Sequence, residues 1–287
     1  MADYVIMTDS GCDVSHEKFA EWGVVSSDLT FYFEDGEEHS NADCDLKEFY
    51  RRMREGGVSK TSAVNIAVFR EMFETALRAG KDVLYIGFSS GISTTSNSGI
   101  MAARELAEEY PERKIVAIDT KCASAGEGLM VYLAVKKKEE GATLEENAAY
   151  VNETFPNIGH WFTVEDLVYL KRGGRVSAAA AFAGAALGIK PVLHVDDEGC
   201  LINMAKVRGR AQSIKAIAKK YTETAADPEK GEYFISHADC LEDAKALEEL
   251  IVKAHGNKCS LITDIGPVIG SHAGPGTLAL FFLATGR

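Results

Sequence analysis

No two cysteines in the sequence have C-x-x-C spacing, and no histidine stands at ligand spacing from any of them. Cys12, Cys44, Cys122, Cys200, Cys240 and Cys259 are scattered, which signals neither a zinc site nor a disulfide framework. Free thiols suit a reducing compartment. Positive charge is scarce as well: 31 Lys and Arg face 43 Asp and Glu, a net charge of −12. Nucleic acid and an anionic membrane surface repel such a chain, so neither is expected as its main partner. The longest apolar stretch, Ala178 to Ile189, is too short to span a bilayer and too rich in Ala and Gly to insert. Met1-Ala2-Asp3-Tyr4 lacks the charged-then-apolar pattern of a signal segment. These absences predict a cytoplasmic protein without stable membrane insertion.

What is present is ordinary globular material, 46% hydrophobic and 26% charged, in 287 residues. That length accommodates two α/β lobes. Strand-like Tyr4 to Thr8 and Val24 to Phe33 precede an acidic loop, Glu34 to Asp45, and a helix, Leu46 to Glu55, with Asp45 and Glu48 placed as a capping box. A polar loop, Ser59 to Ser62, leads to a helix from Asn65 to Ala79. Strand and helix then alternate: 83–88, 93–110, 115–118 and 124–140, followed by a helix capped by Thr143 and Glu146. This alternation predicts a mainly parallel sheet flanked by helices. After Phe155-Pro156 the pattern restarts. Strand 161–164, a short helix from Asp166, a small-residue helix over 178–187, a hairpin about Asp196 to Gly199, and two further helix–strand units predict a mixed sheet with helices. The fold class is therefore α/β with two lobes, residues 1–155 and 156–287.

Four segments are candidates for chemistry. Ser89-Ser90-Gly91-Ile92-Ser93-Thr94-Thr95-Ser96-Asn97-Ser98 lies between a buried strand and a helix, where open α/β sheets bind ligands. A helix start there presents free N–H groups, and its hydroxyls can donate to an anion. Capping alone accounts for one or two of them. Lys60-Thr61-Ser62 reads as a second hydroxyl-rich helix entrance. Gly270 to Gly276 reads as a tight loop in which His272 can donate to a carboxylate or a hydroxyl. Lys171-Arg172-Gly173-Gly174-Arg175 and Lys206-Val207-Arg208-Gly209-Arg210 place six basic groups on an acidic chain. Either they complement helix ends or they form a patch for a phosphate or an acidic partner.

Gly87-Phe88-Ser89-Ser90-Gly91 also matches the G-x-S-x-G nucleophile elbow, and Ser89, Asp264 and His272 follow in the chain order of hydrolase triads. A serine esterase is thus the alternative function, although no His-Gly-Gly oxyanion motif precedes the elbow. An aspartate-nucleophile phosphatase using Asp9 fails on spacing, because Gly11 stands where a second Asp is required.

Taken together, these blocks resemble the DegV family. The resemblance covers nearly the whole chain. It includes Thr8-Asp9-Ser10 with Asp13, Lys60-Thr61-Ser62, Ser89-Ser90-Gly91-Ile92-Ser93, Ile118-Asp119-Thr120, Arg172-Gly173-Gly174-Arg175, Ile189-Lys190-Pro191, Lys206-Val207-Arg208-Gly209 and Gly266 to Gly276. Ala63-Val64 stands where the family often has Gln-Pro, and Thr94-Thr95 where it often has Gly-Thr, changes that bear on pocket shape.

The resemblance implies a lipid-binding carrier, not an enzyme, with a long-chain fatty acid held between the lobes and no other cofactor or metal. A C16–C18 acyl chain is the expected ligand. Its carboxylate would meet Thr61, Ser93, Ser62 and Thr94, with His272 in support. Family members with an assigned role are acyl-carrying subunits of bacterial fatty acid kinase. A separate kinase uses ATP to form an acyl phosphate for phospholipid synthesis. Arg172, Arg175 and Arg208 would then lie near the mouth, facing that partner or the new phosphate. Because no Arg or Lys lies between Phe88 and Arg104, the carboxylate is expected to be gripped by uncharged donors.

Overall fold

The computed structural model describes residues 3–34, 36–176 and 188–286. Strand β1 (Tyr4–Asp9) is buried along almost its whole length, as a strand covered on both faces must be. It is flanked by β2 (Val25–Ser27) and by β6 (Asp82–Gly87), and β7 (Ile115–Asp119) lies beyond β6. All three pairings in this sheet are parallel.

Its connections are helical. α3 (Ile66–Arg78) starts where the Asn65 side chain accepts the Val68 N–H. α4 (Thr95–Glu109) and α5 (Ala125–Glu139) follow, and α6 (Leu144–Thr154) carries the reciprocal Thr143–Glu146 capping box.

A second sheet takes all its strands from beyond residue 157. It contains β8 (Ile158–Thr163), β9 (Ile189–Val195), β10 (Leu201–Arg208), β11 (Tyr233–His237), β12 (Leu261–Asp264) and β13 (Leu278–Leu283), in the order β10-β9-β8-β13-β11-β12. Only β11 and β12 pair in parallel; the other pairings are antiparallel. With it come α7 (Val168–Arg172), α8 (Arg210–Thr224), α9 (Leu241–His255) and α10 (Pro267–Ala273). The small-residue helix expected over 178–187 lies outside the described residues. Helix α5 packs against both sheets, and the largest apolar cluster joins its Leu129, Met130 and Val131 to Ile6 and Leu84 on one side and to Phe162 and Phe281 on the other. Among the described residues no helix is long and apolar enough to cross a membrane.

Several local expectations are overturned. The single strand expected over 24–33 is two strands in different sheets. After β2 the chain turns at Asp28-Leu29, and β3 (Thr30–Tyr32) joins a small antiparallel sheet with β4 (Glu38–Ser40) and β5 (Lys60–Ser62). Residues 38–40 and 60–62 read as loops because three-residue strands carry too little alternation to register. A short helix, α1 (His16–Trp22), passes unmarked in the pattern since only Phe19 buries its side chain. The Gly-rich segment before β13 is helix α10 as far as Ala273, and only residues 274–276 form the expected tight loop. α2 (Leu46–Arg54) is capped by Asp45 alone.

Candidate functional site

Between the two main sheets lies a partly open cavity with about 750 Å³ of empty space, including the part open to solvent. Its walls are mainly apolar: Phe88 and Ile92 from the first lobe, Phe162, Leu170 and Phe281 from the second, and Val268 from α10. It meets a wider, more polar cleft, and Thr61, Ser93 and Arg175 line both spaces. These three polar side chains therefore stand where the two spaces meet.

Thr61 is on β5, paired with Phe31 of β3, so it does not begin a helix as the sequence suggested. The side chain alternation of a strand turns its neighbour Ser62 away, and Ser62 lines neither space. Thr61 Oγ1 lies 2.8 Å from His272 Nε2 in the last turn of α10. The other ring nitrogen, Nδ1, is buried without a partner among the described residues. It faces Gly173, where a Cβ would come within 2.2 Å of it, so only glycine lets α7 approach the ring this closely. Burial, reinforced by the positive charge of Arg175, pushes His272 down to about 4, which leaves the imidazole neutral near pH 7.

Ser93 Oγ accepts the Thr95 N–H at 3.2 Å, just ahead of α4, and lies 2.9 Å from Thr95 Oγ1. Thr94 borders only the outer cleft. Of the three basic candidates only Arg175 reaches the site. Its Nε donates to Ile92 O at 3.1 Å and a terminal nitrogen donates to Gly173 O. Arg172 is exposed beside the Tyr169 ring, and Arg208 is exposed on β10; neither lines the cavity or the cleft. The corner is thus not made of uncharged donors alone. A guanidinium from residue 175, expected near the mouth, stands in the same wall although no Arg or Lys lies between Phe88 and Arg104.

The triad Ser89–Asp264–His272 does not assemble. Ser89 is completely buried, and its hydroxyl donates to Gly199 O at 2.9 Å while accepting the Gly91 N–H at 3.1 Å. His272 is engaged with Thr61, and the Asp264 side chain is 59% exposed with His237 as its nearest imidazole, at 3.6 Å. Gly199 belongs to the β9–β10 turn, which here closes on the 89–91 loop as a clasp between the lobes. At φ +78 a Cβ on Gly199 would lie 2.0 Å from Ser89 Oγ, so both backbone sign and contact demand glycine.

Sequence reasoning missed the polar groups deeper in the cavity. Ser124 and His160 line it from the start of α5 and from β8. His160 is fully engaged, with Nε2 accepting the Ala123 N–H at 3.2 Å and Nδ1 against Ile158 O at 2.8 Å. No periodic or motif signal marks either residue. Among the described residues, no group of three or more His, Cys, Asp or Glu is arranged to hold a metal ion.

Fold and site together define an α/β protein with two main sheets, between which lies a mainly apolar pocket with a polar corner. The chain belongs to the DegV family. Residues 3–285 match the family model described as "Uncharacterised protein, DegV family". A DegV domain-containing protein of Clostridium perfringens is 41% identical over 285 residues, 99% of this chain and 98% of that protein. Among solved structures, a fatty-acid-binding DegV family protein from Thermus thermophilus is 28% identical, with a TM-score of 0.88 over 98% of this chain and 99% of that one. A stearic-acid-binding protein from Eubacterium ventriosum is 25% identical, with a TM-score of 0.88 over 98% of both chains.

Proposed function

We propose that this protein binds one long-chain fatty acid, of C16–C18 length, with its tail in the apolar cavity and its carboxylate at Thr61 and Ser93. The observation that carries this reading is the placement of those hydroxyls where a mainly apolar cavity meets the outer cleft. The fatty acids bound by its structural relatives support it.

Burying about 15 methylenes contributes roughly 12 kcal/mol before association costs, at about 0.8 kcal/mol each. The head group then needs donors, because a carboxylate leaving water without them loses its solvation uncompensated. A neutral His272 supplies the arrangement. Buried N–H groups without partners are rare, so the unpartnered Nδ1 favours the tautomer with its proton on Nε2. That proton is donated to Thr61 Oγ1, and the Thr61 hydroxyl hydrogen is left for the ligand. Arg175 adds positive potential from the same wall while its hydrogen bonds to Ile92 and Gly173 hold it in place.

The protein performs no bond-making of its own in this reading. It presents the carboxylate, through the outer cleft, to a separate ATP-dependent kinase that converts it to an acyl phosphate. Protein purified from a bacterial host should release about one fatty acid per chain on solvent extraction. Recovery of no lipid, together with no thermal shift on adding stearate, overturns the binding reading. For the kinase step, loaded protein, a candidate kinase and ATP should yield a hydroxamate on trapping with hydroxylamine, and unloaded protein should not.

A further inference from the structure

The turn after β1 is singled out in the sequence by Asp9, Ser10 and Asp13, and none of these is a head-group donor. Yet each holds a part of the cavity wall. Asp9 accepts the Phe88 N–H at 3.2 Å, and Ser10 Oγ accepts the Leu29 N–H at 2.9 Å; Phe88 and Leu29 both line the cavity.

Asp13 reaches furthest. It is 5% exposed, and one carboxylate oxygen accepts the Gly266 N–H at 2.8 Å while the other accepts the Ser124 hydroxyl. Its backbone carbonyl accepts the Thr263 hydroxyl at 2.8 Å. Gly266 is the N-cap of α10, a helix of seven residues with no side-chain cap of its own. So short a helix has little stability by itself, and an acceptor for its leading N–H is what anchors it. Six residues beyond Gly266 along α10 stands His272, bonded to Thr61 on β5. Ser124 in turn lies 3.0 Å from Ser236 Oγ on β11.

We propose that Asp13 is the positioning residue of the head-group corner. By holding Gly266 and Ser124 together across the two sheets, it sets α10 so that His272 meets Thr61 in the orientation that frees the threonine hydroxyl for a carboxylate. The role in ligand binding rests on the fatty-acid reading; the role in placing His272 does not. Burial pushes the Asp13 carboxyl up to about 7, against the hydrogen bonds from Ser124 and Gly266 and with the negative charge of Asp264 adding to the rise. An amide at this position keeps one acceptor oxygen for the Gly266 N–H and can donate its NH2 to Ser124 Oγ, whose own hydroxyl then turns to Ser236 Oγ, so Asp13→Asn should serve.

The test uses the full chain with Asp13→Ala, Asp13→Asn and a control, Leu247→Ala, in the separate apolar cluster of the second lobe. Imidazole NMR signals of His272 are read without ligand, and stearate affinity is read by displacement of a fluorescent fatty acid. Asp13→Ala leaves a buried N–H and a buried hydroxyl unpaired, and should shift the His272 signals and weaken stearate roughly 10-fold to 100-fold. Asp13→Asn should restore both to near the native values, and Leu247→Ala should leave both unchanged despite a comparable fall in Tm. Unmoved His272 signals in Asp13→Ala overturn the proposal, as does an equal loss of affinity in Leu247→Ala. If the native protein binds no fatty acid, the reading of the cavity falls, and the His272 signals alone then decide the positioning role either way.

Discussion

Ser89 and Ser93 lie four residues apart in one hydroxyl-rich loop, and they serve opposite ends. At the clasp, Ser89 is buried with its hydrogen bonds spent on Gly199 O and the Gly91 N–H, and Lys121 ties Ser90 Oγ and Asp119 close by at 2.6 and 2.8 Å. At the corner, Ser93 and Thr61 border open space beside an imidazole that still has an unpartnered nitrogen. A closed set of hydrogen bonds holds two lobes together; an incomplete one leaves groups for the ligand proposed above. Composition does not separate the two serines. What separates them is whether a partner backbone arrives from elsewhere in the chain.

The largest effect that would break this contrast is on binding. Replacing Thr61→Val and Ser93→Ala together removes the donors for the carboxylate and should lower stearate affinity about 100-fold or more, since each hydrogen bond to a charged group contributes roughly 1.5–3 kcal/mol. Displacement titration reads it, and native affinity in the double variant would remove the corner from the site. Next comes the clasp. Gly199→Ala brings a Cβ against Ser89 Oγ at a positive φ and should cost roughly 2–4 kcal/mol in urea unfolding. A neutral result would mean that the clasp carries no strain-sensitive contact.

The third prediction concerns pH. The folded protein holds His272 at about 4, whereas an unfolded chain titrates near the ordinary value of 6.5. Between these values the unfolded state binds the extra proton, so this group lowers stability as pH falls from about 6.5 to about 4 and adds nothing above that window. A His272→Gln variant lacks that loss. Its Tm relative to the native protein should improve across the window, by an amount worth up to roughly 3 kcal/mol. The buried Asp9 and Asp13, raised to about 6 and 7, act in the opposite direction but cancel in the comparison of the two proteins. A flat difference between pH 4 and 7 would show the ring to be solvated. The smallest effect is Ser89→Ala, expected to cost about 1 kcal/mol in stability. It should also leave any background hydrolysis of p-nitrophenyl esters where it was; abolished turnover would bring back the nucleophile.

Much of the frame was legible because it rests on local rules. Buried β1, β6 and β7 alternate with helices at lengths that only a parallel sheet accommodates, and Thr143–Glu146 and Asn65 mark helix starts through bonds to residues three positions away. The pieces that failed were decided at long range. β5 exists because β3 supplies a partner some thirty residues earlier, and α10 exists in a segment whose glycines argue for a loop, held at its leading N–H by Asp13. Thr61, Ser93 and His272 were visible as residue types in suggestive places; Ser62 lines neither space and Thr94 only the outer cleft, while Arg172 and Arg208, named for a partner or phosphate at the mouth, are exposed.

By itself the sequence determined the two sheets, their helical connections and a set of polar segments at strand ends, since periodicity and capping act within a few residues. Only the tertiary structure decided that Ser89 faces a carbonyl, that Arg175 enters the wall of the pocket, and that His272 meets Thr61. Hydrogen bonds between residues as many as 253 positions apart leave no periodic trace along the chain, and they form only when burial brings the two main sheets together.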